Sequence, residues 1–203
     1  MKQIQDAYIV AATRTPIGRS HKGFFRNTRP DDLLATTLKA VMAQAPGLDP
    51  QAVEDVICGC AIPEAQQGLN VARIGAVLAG LPKSVGGITV NRFCASGLSA
   101  VAMAADRIRV GEADVMIAAG VESMSMVPMM GNSPSLSPSI FAPDSDVGIA
   151  YGMGLTAERV AQQWKVSREA QDAFAVESHR RALAAQQAGE FAAEITPIEV
   201  TDR

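Results

Sequence analysis

A cysteine at the predicted start of a helix is the residue of this sequence best placed for chemistry. Cys94 follows the strand predicted over 88–91 and precedes 95–110, where apolar residues recur at helical spacing. A helix N-terminus carries roughly half a positive charge, so it stabilises a thiolate over a thiol and offers N–H groups to a thioester oxyanion. The small residues at 95–97 leave room for an acyl chain. The pattern favours a thiolate nucleophile, although position alone fits a buried, packing cysteine equally well.

The other cysteines and the two histidines have no spacing typical of catalysis or metal binding. Three cysteines are too few for a disulfide framework, which favours free thiols. Cys58 and Cys60 share one face of a predicted strand and are expected to pack inertly, and their spacing is too tight for a zinc clamp. No metal site is predicted. His21 falls in a loop and His179 lies among charged residues on a predicted helix, so structural or surface roles are expected.

The segments around Cys94 alternate between predicted strands and helices. Apolar runs predict the strands, and apolar residues at helical spacing, bounded by Pro or Gly, predict the helices. In chain order they are a buried strand over 7–12, a helix from Pro30 to before Pro46, a strand over 53–62, a helix over 71–81, a strand over 88–91, a helix over about 95–110 and a strand over 113–120. This alternation predicts an α/β fold, a mostly parallel sheet with helices on both faces.

Two of these helices are expected to bury the residues that recur every three or four positions. In the helix over 71–81 these are Val71, Ile74, Leu78 and Leu81. In the helix after Cys94 they are Leu98, Val101, Ala102, Ala105 and Ile108, which predicts an inner face with small residues.

The composition changes after Gly120. Residues 122–155 are rich in Ser, Pro, Met and Gly, which predicts a domain boundary near residue 121. Beyond it the sequence predicts a helix with Thr156 as N-cap, a longer helix that starts after Ser167 and runs until Gly189, and the start of a strand over 194–200. The chain stops there without a closing helix or cap, a pattern typical of a truncation.

Several segments together resemble the thiolase family. Asn91 and the run Cys94-Ala95-Ser96-Gly97-Leu98 resemble its acyl-enzyme signature. The other matching segments, in chain order, are Thr13-Arg14-Thr15-Pro16-Ile17-Gly18, Asn70-Val71-Ala72-Arg73, Gly120-Val121-Glu122-Ser123-Met124-Ser125 and Met153-Gly154-Leu155-Thr156-Ala157-Glu158. The resemblance implies a layered thiolase-like fold, in which residues 1–121 are the N-terminal catalytic half-domain and residues 122–203 begin the loop domain that covers the substrate.

For Cys94, the resemblance implies covalent acyl transfer. In thiolases the matching cysteine attacks the keto carbon of a 3-ketoacyl-CoA, expels acetyl-CoA as its enolate and passes the acyl group to a second coenzyme A; the reverse reaction is a Claisen condensation. A histidine activates the cysteine, and a second cysteine exchanges a proton with the acetyl α-carbon. Both belong to the family's C-terminal half, and neither motif occurs here. The chain alone is therefore expected to be inactive and to expose an apolar face.

Gly152 and Met153 bear on the substrate class. They resemble a stretch in which acetoacetyl-CoA-specific members carry a histidine before the methionine, and Gly152 stands in place of that histidine. The linker over 126–150 also lacks the basic tetramer-forming loop of those members. The resemblance thus implies a degradative 3-ketoacyl-CoA thiolase of fatty acid metabolism and β-oxidation, a homodimer rather than a tetramer, with Met153 lining the acyl pocket. A methionine that only fills a gap is the alternative.

Composition argues against other partners. The 18 Lys and Arg against 21 Asp and Glu give a net charge of -3 without a long run of either sign, which disfavours nucleic acid. The first residues do not resemble a signal peptide, and no uncharged stretch approaches the length of a membrane span. A cytoplasmic protein without a membrane partner is expected. Coenzyme A and acyl-CoA are expected as substrates, with no tightly bound cofactor.

Two other functions are consistent with the same site. A ketoacyl synthase-type condensing enzyme also has a cysteine at a strand-to-helix junction, but Asn91 with Arg92-Phe93 before Cys94 disfavours it. A non-catalytic, thiolase-like module for lipid binding or dimerisation is the other alternative, which the intact signature around Cys94 disfavours.

Overall fold

A computed structural model of the chain describes residues 4–144 and 147–200, which form two compact units. The larger unit comprises the chain up to Ser133 together with the stretch that begins at Glu194, and the second unit is Pro134–Ala193. The assignment of residues 1–121 to a catalytic half-domain and of 122–203 to a loop domain concerns function and stays a prediction.

Three parallel strands form the centre of the larger unit. They are β1 (Asp55–Gly59), β2 (Gly86–Val90) and β3 (Met116–Gly120), and β1 lies between the other two. The register pairs Gly59 with Val90 on one side and with Gly120 on the other, so the three carboxyl ends are level. The strands predicted over 53–62, 88–91 and 113–120 are confirmed; β1 and β3 are shorter than predicted, and β2 begins two residues earlier and ends one residue earlier.

Helices cover both faces of this sheet. They are α1 (Pro30–Ala43), α2 (Val71–Leu78) and α3 (Ser96–Arg109), with 3-10 turns at Pro50–Ala52 and Ala65–Gln67. Alternate residues of β1 point to opposite faces. Val56 and Cys58 pack against α1 and α2, whereas Ile57 packs against α3 and Gly59 contacts its first residues. The predicted α/β architecture is confirmed.

The buried faces of α2 and α3 differ from those predicted. The residues that α2 buries are Val71, Ala72, Gly75 and Ala76, and those that α3 buries are Ser96, Ala100 and Ala104. Leu78 is exposed, and so are Leu98, at 73%, and Val101. Small side chains let a helix backbone approach the sheet closely, and this contact outweighed the larger apolar residues. The inner face of α3 consists of small residues, as predicted, but the residues assigned to it were wrong, and Leu98 and Val101 face outward.

The buried strand predicted over 7–12 was also wrong. These residues are described and form no strand, and Tyr8, Ile9 and Val10 are 75% to 84% exposed. Two hydrogen bonds hold the segment near its ends: the Gln5 N–H donates to Arg109 O, and the Ala12 N–H donates to Gln44 Oε1. A cavity of about 710 Å³ separates the segment from β3. An apolar run becomes a buried strand only when a neighbouring strand completes its hydrogen-bonded ladder.

The second unit is helical. It contains α4 (Met153–Trp164) and α5 (Arg168–Gln187), preceded by 3-10 turns at Pro138–Phe141 and Val147–Ala150. The cap of α4 is Gly152, so the predicted start at Thr156 was wrong; the Thr156 hydroxyl instead donates to the Gly152 carbonyl, at 3.3 Å. The predicted start of α5 after Ser167 is confirmed, and the Ser167 hydroxyl caps the helix by accepting from the Ala170 N–H.

The predicted strand over 194–200 is reduced to a single parallel bridge between Arg14 and Ile195, within the larger unit. Across the described ranges, none of the helices combines the length and the apolar character needed to cross a bilayer.

Candidate active site

The loops that follow the three strands meet at the carboxyl edge of the sheet. The backbone N–H of Cys60 donates to Val90 O at 3.0 Å, and that of Val121 donates to Gly59 O at 3.0 Å. These two bonds carry the ladder one residue past the strand ends, so the loops leave the sheet side by side. Ligand sites of open parallel sheets lie at this edge.

Cys94 lies at this edge, in the turn between β2 and α3, where the sequence placed it. Its side chain is exposed and its thiol is free. Phe93, the residue before it, has a φ of 46°, in the left-handed region that disfavours a bulky side chain. Such a conformation costs about 1–3 kcal/mol and persists only where the surrounding structure holds it. The turn therefore presents the Cys94 thiol on a strained backbone.

Asn91 and Ser96 hold this turn from both sides. The Phe93 N–H donates to Asn91 Oδ1 at 2.8 Å. The Ser96 hydroxyl, which is buried, donates to Phe93 O at 2.6 Å and accepts from the Arg92 N–H at 2.8 Å. The sequence singled out Ser96 only for its small size. Its bonding role could have been anticipated, since serine and asparagine commonly bond to nearby backbone groups in turns.

Free N–H groups remain at the first turn of α3. The first full helical bond joins the Ser99 N–H to Ala95 O, at 2.9 Å. Within the described residues, no acceptor pairs with the N–H groups of Gly97 and Leu98, as is usual at a helix start. A Cβ added to Gly97 would meet nothing within 4 Å, so the space beside it is open. This end of α3 can accommodate a ligand carrying negative charge.

A buried amide links the loops after β1 and β3. Gln67 is 0% exposed. Its Nε2 donates two hydrogen bonds, one to Ile62 O at 2.8 Å and one to a carboxylate oxygen of Glu122. Its Oε1 accepts from the Ser123 N–H at 2.8 Å. The other Glu122 oxygen accepts from the Ala61 N–H at 2.6 Å. Sequence reasoning missed Gln67 and gave Glu122 no role beyond its place in a matching segment.

The remaining cysteines are buried, as predicted. Cys58 and Cys60 lie in the core on the face of the sheet that packs against α1 and α2. Burial raises the pKa of the Cys58 thiol to about 12 and that of Cys60 to about 11, and the Glu122 carboxylate adds to both shifts. Both thiols are protonated near neutral pH and shielded from reagents.

The histidines occupy the surface positions that were predicted. His21 is exposed in a loop, where its backbone N–H donates to the Ser125 hydroxyl, and His179 is exposed on α5. Met153 begins α4 and is 67% exposed; its role in an acyl pocket stays a prediction. Among residues 4–144 and 147–200, no three His, Cys, Asp or Glu side chains cluster as a metal ion would require.

Comparison with known proteins identifies the family. Residues 7–203 match the family described as "Thiolase, N-terminal domain". A 3-ketoacyl-CoA thiolase of Bacillus subtilis (strain 168) is 49% identical over 200 residues, which cover 98% of this chain and 50% of that protein. Proteins of the same name from Shewanella sp. (strain MR-7) and Aeromonas hydrophila are 46% and 44% identical, over 98% of this chain and 51% of each relative.

The chain spans about half the length of the relatives that it matches. The family match, in contrast, covers nearly all of the chain and includes the turn that carries Cys94. The chain therefore belongs to the thiolase family and has the sequence of its N-terminal domain.

Proposed function

We propose that this chain supplies the acyl-accepting cysteine of an acyl-CoA:acetyl-CoA C-acyltransferase. Such an enzyme cleaves 3-ketoacyl-CoA with coenzyme A or, in reverse, condenses acetyl-CoA with an acyl-CoA. The observation that carries the proposal is the exposed Cys94 thiol on a strained turn at the start of α3. The shared name of the relatives, 3-ketoacyl-CoA thiolase, supports the same reaction.

In the proposed reaction, the Cys94 thiolate attacks the keto carbon of the substrate. The bond between that carbon and the α-carbon breaks, acetyl-CoA leaves as its enolate and takes up a proton, and an acyl thioester remains on Cys94. The thiol of a second coenzyme A then attacks the thioester and releases the shortened acyl-CoA. The free N–H groups of Gly97 and Leu98 are donors suited to the negative charge that develops on the thioester oxygen.

The proton-exchanging cysteine of this mechanism does not come from the core of this chain. Cys58 and Cys60 lie under the face of the sheet opposite α3, with raised thiol pKa values. The resemblance implies that this cysteine and the activating histidine belong to the family's C-terminal half. The proposed turnover therefore requires that half together with this chain.

For the substrate, we propose a degradative role in β-oxidation with a 3-ketoacyl-CoA as the natural substrate. The glycine at position 152 and the names of the relatives support it. Met153 is proposed to line the acyl pocket. Acetoacetyl-CoA and a medium-chain 3-ketoacyl-CoA can be compared as substrates of the wild-type enzyme and of Met153→Ala. A pocket role predicts that the substitution changes the chain-length preference, whereas an unchanged preference would contradict it.

The active form is proposed to be a cytoplasmic homodimer that uses acyl-CoA without a tightly bound cofactor. Within the described residues, β2 is an edge strand that pairs only with β1. An unpaired sheet edge favours association with another chain. The exposed Cys94 thiol fits a reducing compartment. Light scattering on the purified protein tests the dimer, and a monomer or tetramer would contradict it.

Intact-protein mass after brief exposure to acetyl-CoA tests the proposed function. The protein is this chain extended through its downstream coding sequence. We expect one added acetyl group, which Cys94→Ala abolishes and Cys60→Ala, a control at a buried thiol, retains. A folded, full-length protein that stays unmodified would contradict the proposal and favour the non-catalytic lipid-binding or dimerisation module.

A further inference from the structure

We propose that Glu122, held in place by Gln67, is a positioning residue for the turn that carries Cys94. The proposal rests on the function proposed above, because it concerns the reactivity of Cys94 toward acyl-CoA. The observation behind it is a continuous series of hydrogen bonds across the carboxyl edge of the sheet, from Glu122 to Phe93. The series crosses the loops after β3, β1 and β2 in turn.

Each step of the series is short. Glu122 Oε2 accepts from the Ala61 N–H at 2.6 Å, and Ala61 O accepts from Asn91 Nδ2 at 2.8 Å. Asn91 Oδ1 then accepts from the Phe93 N–H at 2.8 Å. The two bonds at Ala61 use the peptide groups on either side of that residue. The loop after β1 is therefore held on one side by the loop after β3 and on the other side by the loop after β2. A displacement of Glu122 is therefore transmitted to Phe93.

Gln67 leaves the Glu122 carboxylate little freedom. The Gln67 amide is fully buried and can take one orientation only, because its oxygen accepts from the Ser123 N–H and its nitrogen donates to Ile62 O. The same nitrogen also donates to Glu122. Glu122 must thus accept at both oxygens, which an ionised carboxylate does and an amide does not. Because Gln67 is fully buried, a mismatch there costs the full desolvation penalty of the group that loses its partner.

The end of the series is the strained residue next to the nucleophile. Phe93 holds a φ of 46°, and its N–H is the last donor in the series. A strained turn keeps its geometry only while its surroundings hold it. Displacement of a reacting group by ~1 Å can lower the rate by ~100-fold. The expected effect of loosening Glu122 is therefore on the acyl-transfer rate and not on the binding of acyl-CoA.

The test uses Glu122→Gln in the chain extended through its downstream coding sequence. The new amide sets its NH2 group against either the Ala61 N–H or Gln67 Nε2, so one bond of the network is lost. We expect kcat to fall by ~100-fold per folded molecule while KM for acyl-CoA is unchanged. Gln67→Glu sets a carboxylate against both Glu122 and Ile62 O, so it should lower kcat at least as much as Glu122→Gln does.

Glu64→Gln is the matched control. Glu64 lies in the same loop as Gln67, but its carboxylate accepts from the backbone and side-chain nitrogens of Asn132, outside the series. This variant should keep the wild-type kcat. Circular dichroism and thermal melting give the folded fraction of every variant. A wild-type kcat in folded Glu122→Gln, or an equal loss in Glu64→Gln, would overturn the proposal.

The alkylation of Cys94 by iodoacetamide separates this proposal from the proposed function. If the wild-type protein forms no acyl adduct, the proposed function fails, but the alkylation rate of the exposed thiol still reports the geometry of the turn. A rate changed by Glu122→Gln and not by Glu64→Gln would uphold the positioning role. Equal rates in all three proteins would overturn it.

Discussion

Gly59 of β1 and Ser96 of α3 are in direct backbone contact. A Cβ built on Gly59 would lie 2.4 Å from the carbonyl carbon of Ser96 and 2.5 Å from the N atom of Gly97. No side chain fits between the central strand and the first turn of the helix. Because position 59 has no side chain, the start of α3 packs directly against the central strand. The turn that carries Cys94 is positioned by the same contact.

Gly59→Ala should displace the start of α3. The added methyl group overlaps backbone, which cannot rotate away as a side chain can, and overpacking of this kind costs about 1–3 kcal/mol or more in the free energy of unfolding. Urea denaturation measures the loss. Gly97→Ala, whose Cβ would meet nothing within 4 Å, is the control and should be neutral or stabilising. Equal stability of Gly59→Ala and wild type would contradict the close contact.

Ser96→Ala should loosen the turn before the helix. It removes the hydroxyl that bonds both Phe93 O and the Arg92 N–H, and we expect a loss of about 1–3 kcal/mol in unfolding free energy. Ser99→Ala, one turn along α3, is the matched control, since the described structure shows no bond from its side chain. If the two variants unfold at the same denaturant concentration, the Ser96 hydroxyl does not hold the turn.

Native thiol labelling should modify Cys94 alone. Cys94 is exposed, whereas Cys58 and Cys60 are buried with thiol pKa values near 12 and 11. Iodoacetamide at neutral pH should give one adduct by intact mass, and the adduct should disappear in Cys94→Ala. Labelling in urea should give three adducts in the wild-type protein. A second adduct under native conditions would show that the core around Cys58 opens.

Stability should fall as the pH rises above about 9, the ordinary pKa of a thiol on this scale. Between that pH and about 11 the unfolded chain releases the protons of Cys58 and Cys60 while the folded chain keeps them. The free energy of unfolding then decreases by up to about 1.4 kcal/mol per pH unit for each thiol. Denaturant titrations at several pH values measure the slope, which should be shallower in Cys58→Ala. An unchanged slope would contradict the raised pKa of Cys58.

Arg107→Met should lower the stability of the fold, because it removes the partner of a buried carboxylate. Arg107 Nη1 lies 2.8 Å from Asp55 Oδ2, and the other Asp55 oxygen is buried without a hydrogen bond in the described structure. Removal of the guanidinium leaves this charge unpaired, at a cost of about 3 kcal/mol. Arg109→Met breaks the exposed pair with Asp106 and should change stability by less than about 1 kcal/mol. Thermal unfolding distinguishes the two, and equal effects would contradict a special role for Asp55.

The sequence by itself determined the features that depend on local signals. Alternating apolar runs and helical spacing predicted the three parallel strands with helices on both faces, and the junction of β2 with α3 located Cys94. The start of α5 after Ser167 was predicted because helix starts carry local signals, such as the acidic Glu169 in the first turn. Cys58 and Cys60 were expected to pack because they share one face of a strand. The family motifs, read in order, indicated a thiolase.

Only the tertiary structure decided which surfaces are buried and which loops meet. The apolar spacing of α3 fits two faces, and the close approach allowed by Gly59 selected the face of Ser96, Ala100 and Ala104 over that of Leu98. Residues 7–12 are as apolar as a strand, but no ladder forms beside them. Gln67 and Glu122 are far apart in sequence and bond only because parallel strands end at one edge. Burial and polar pairing depend on neighbours that the fold supplies, and local periodicity carries no information about them.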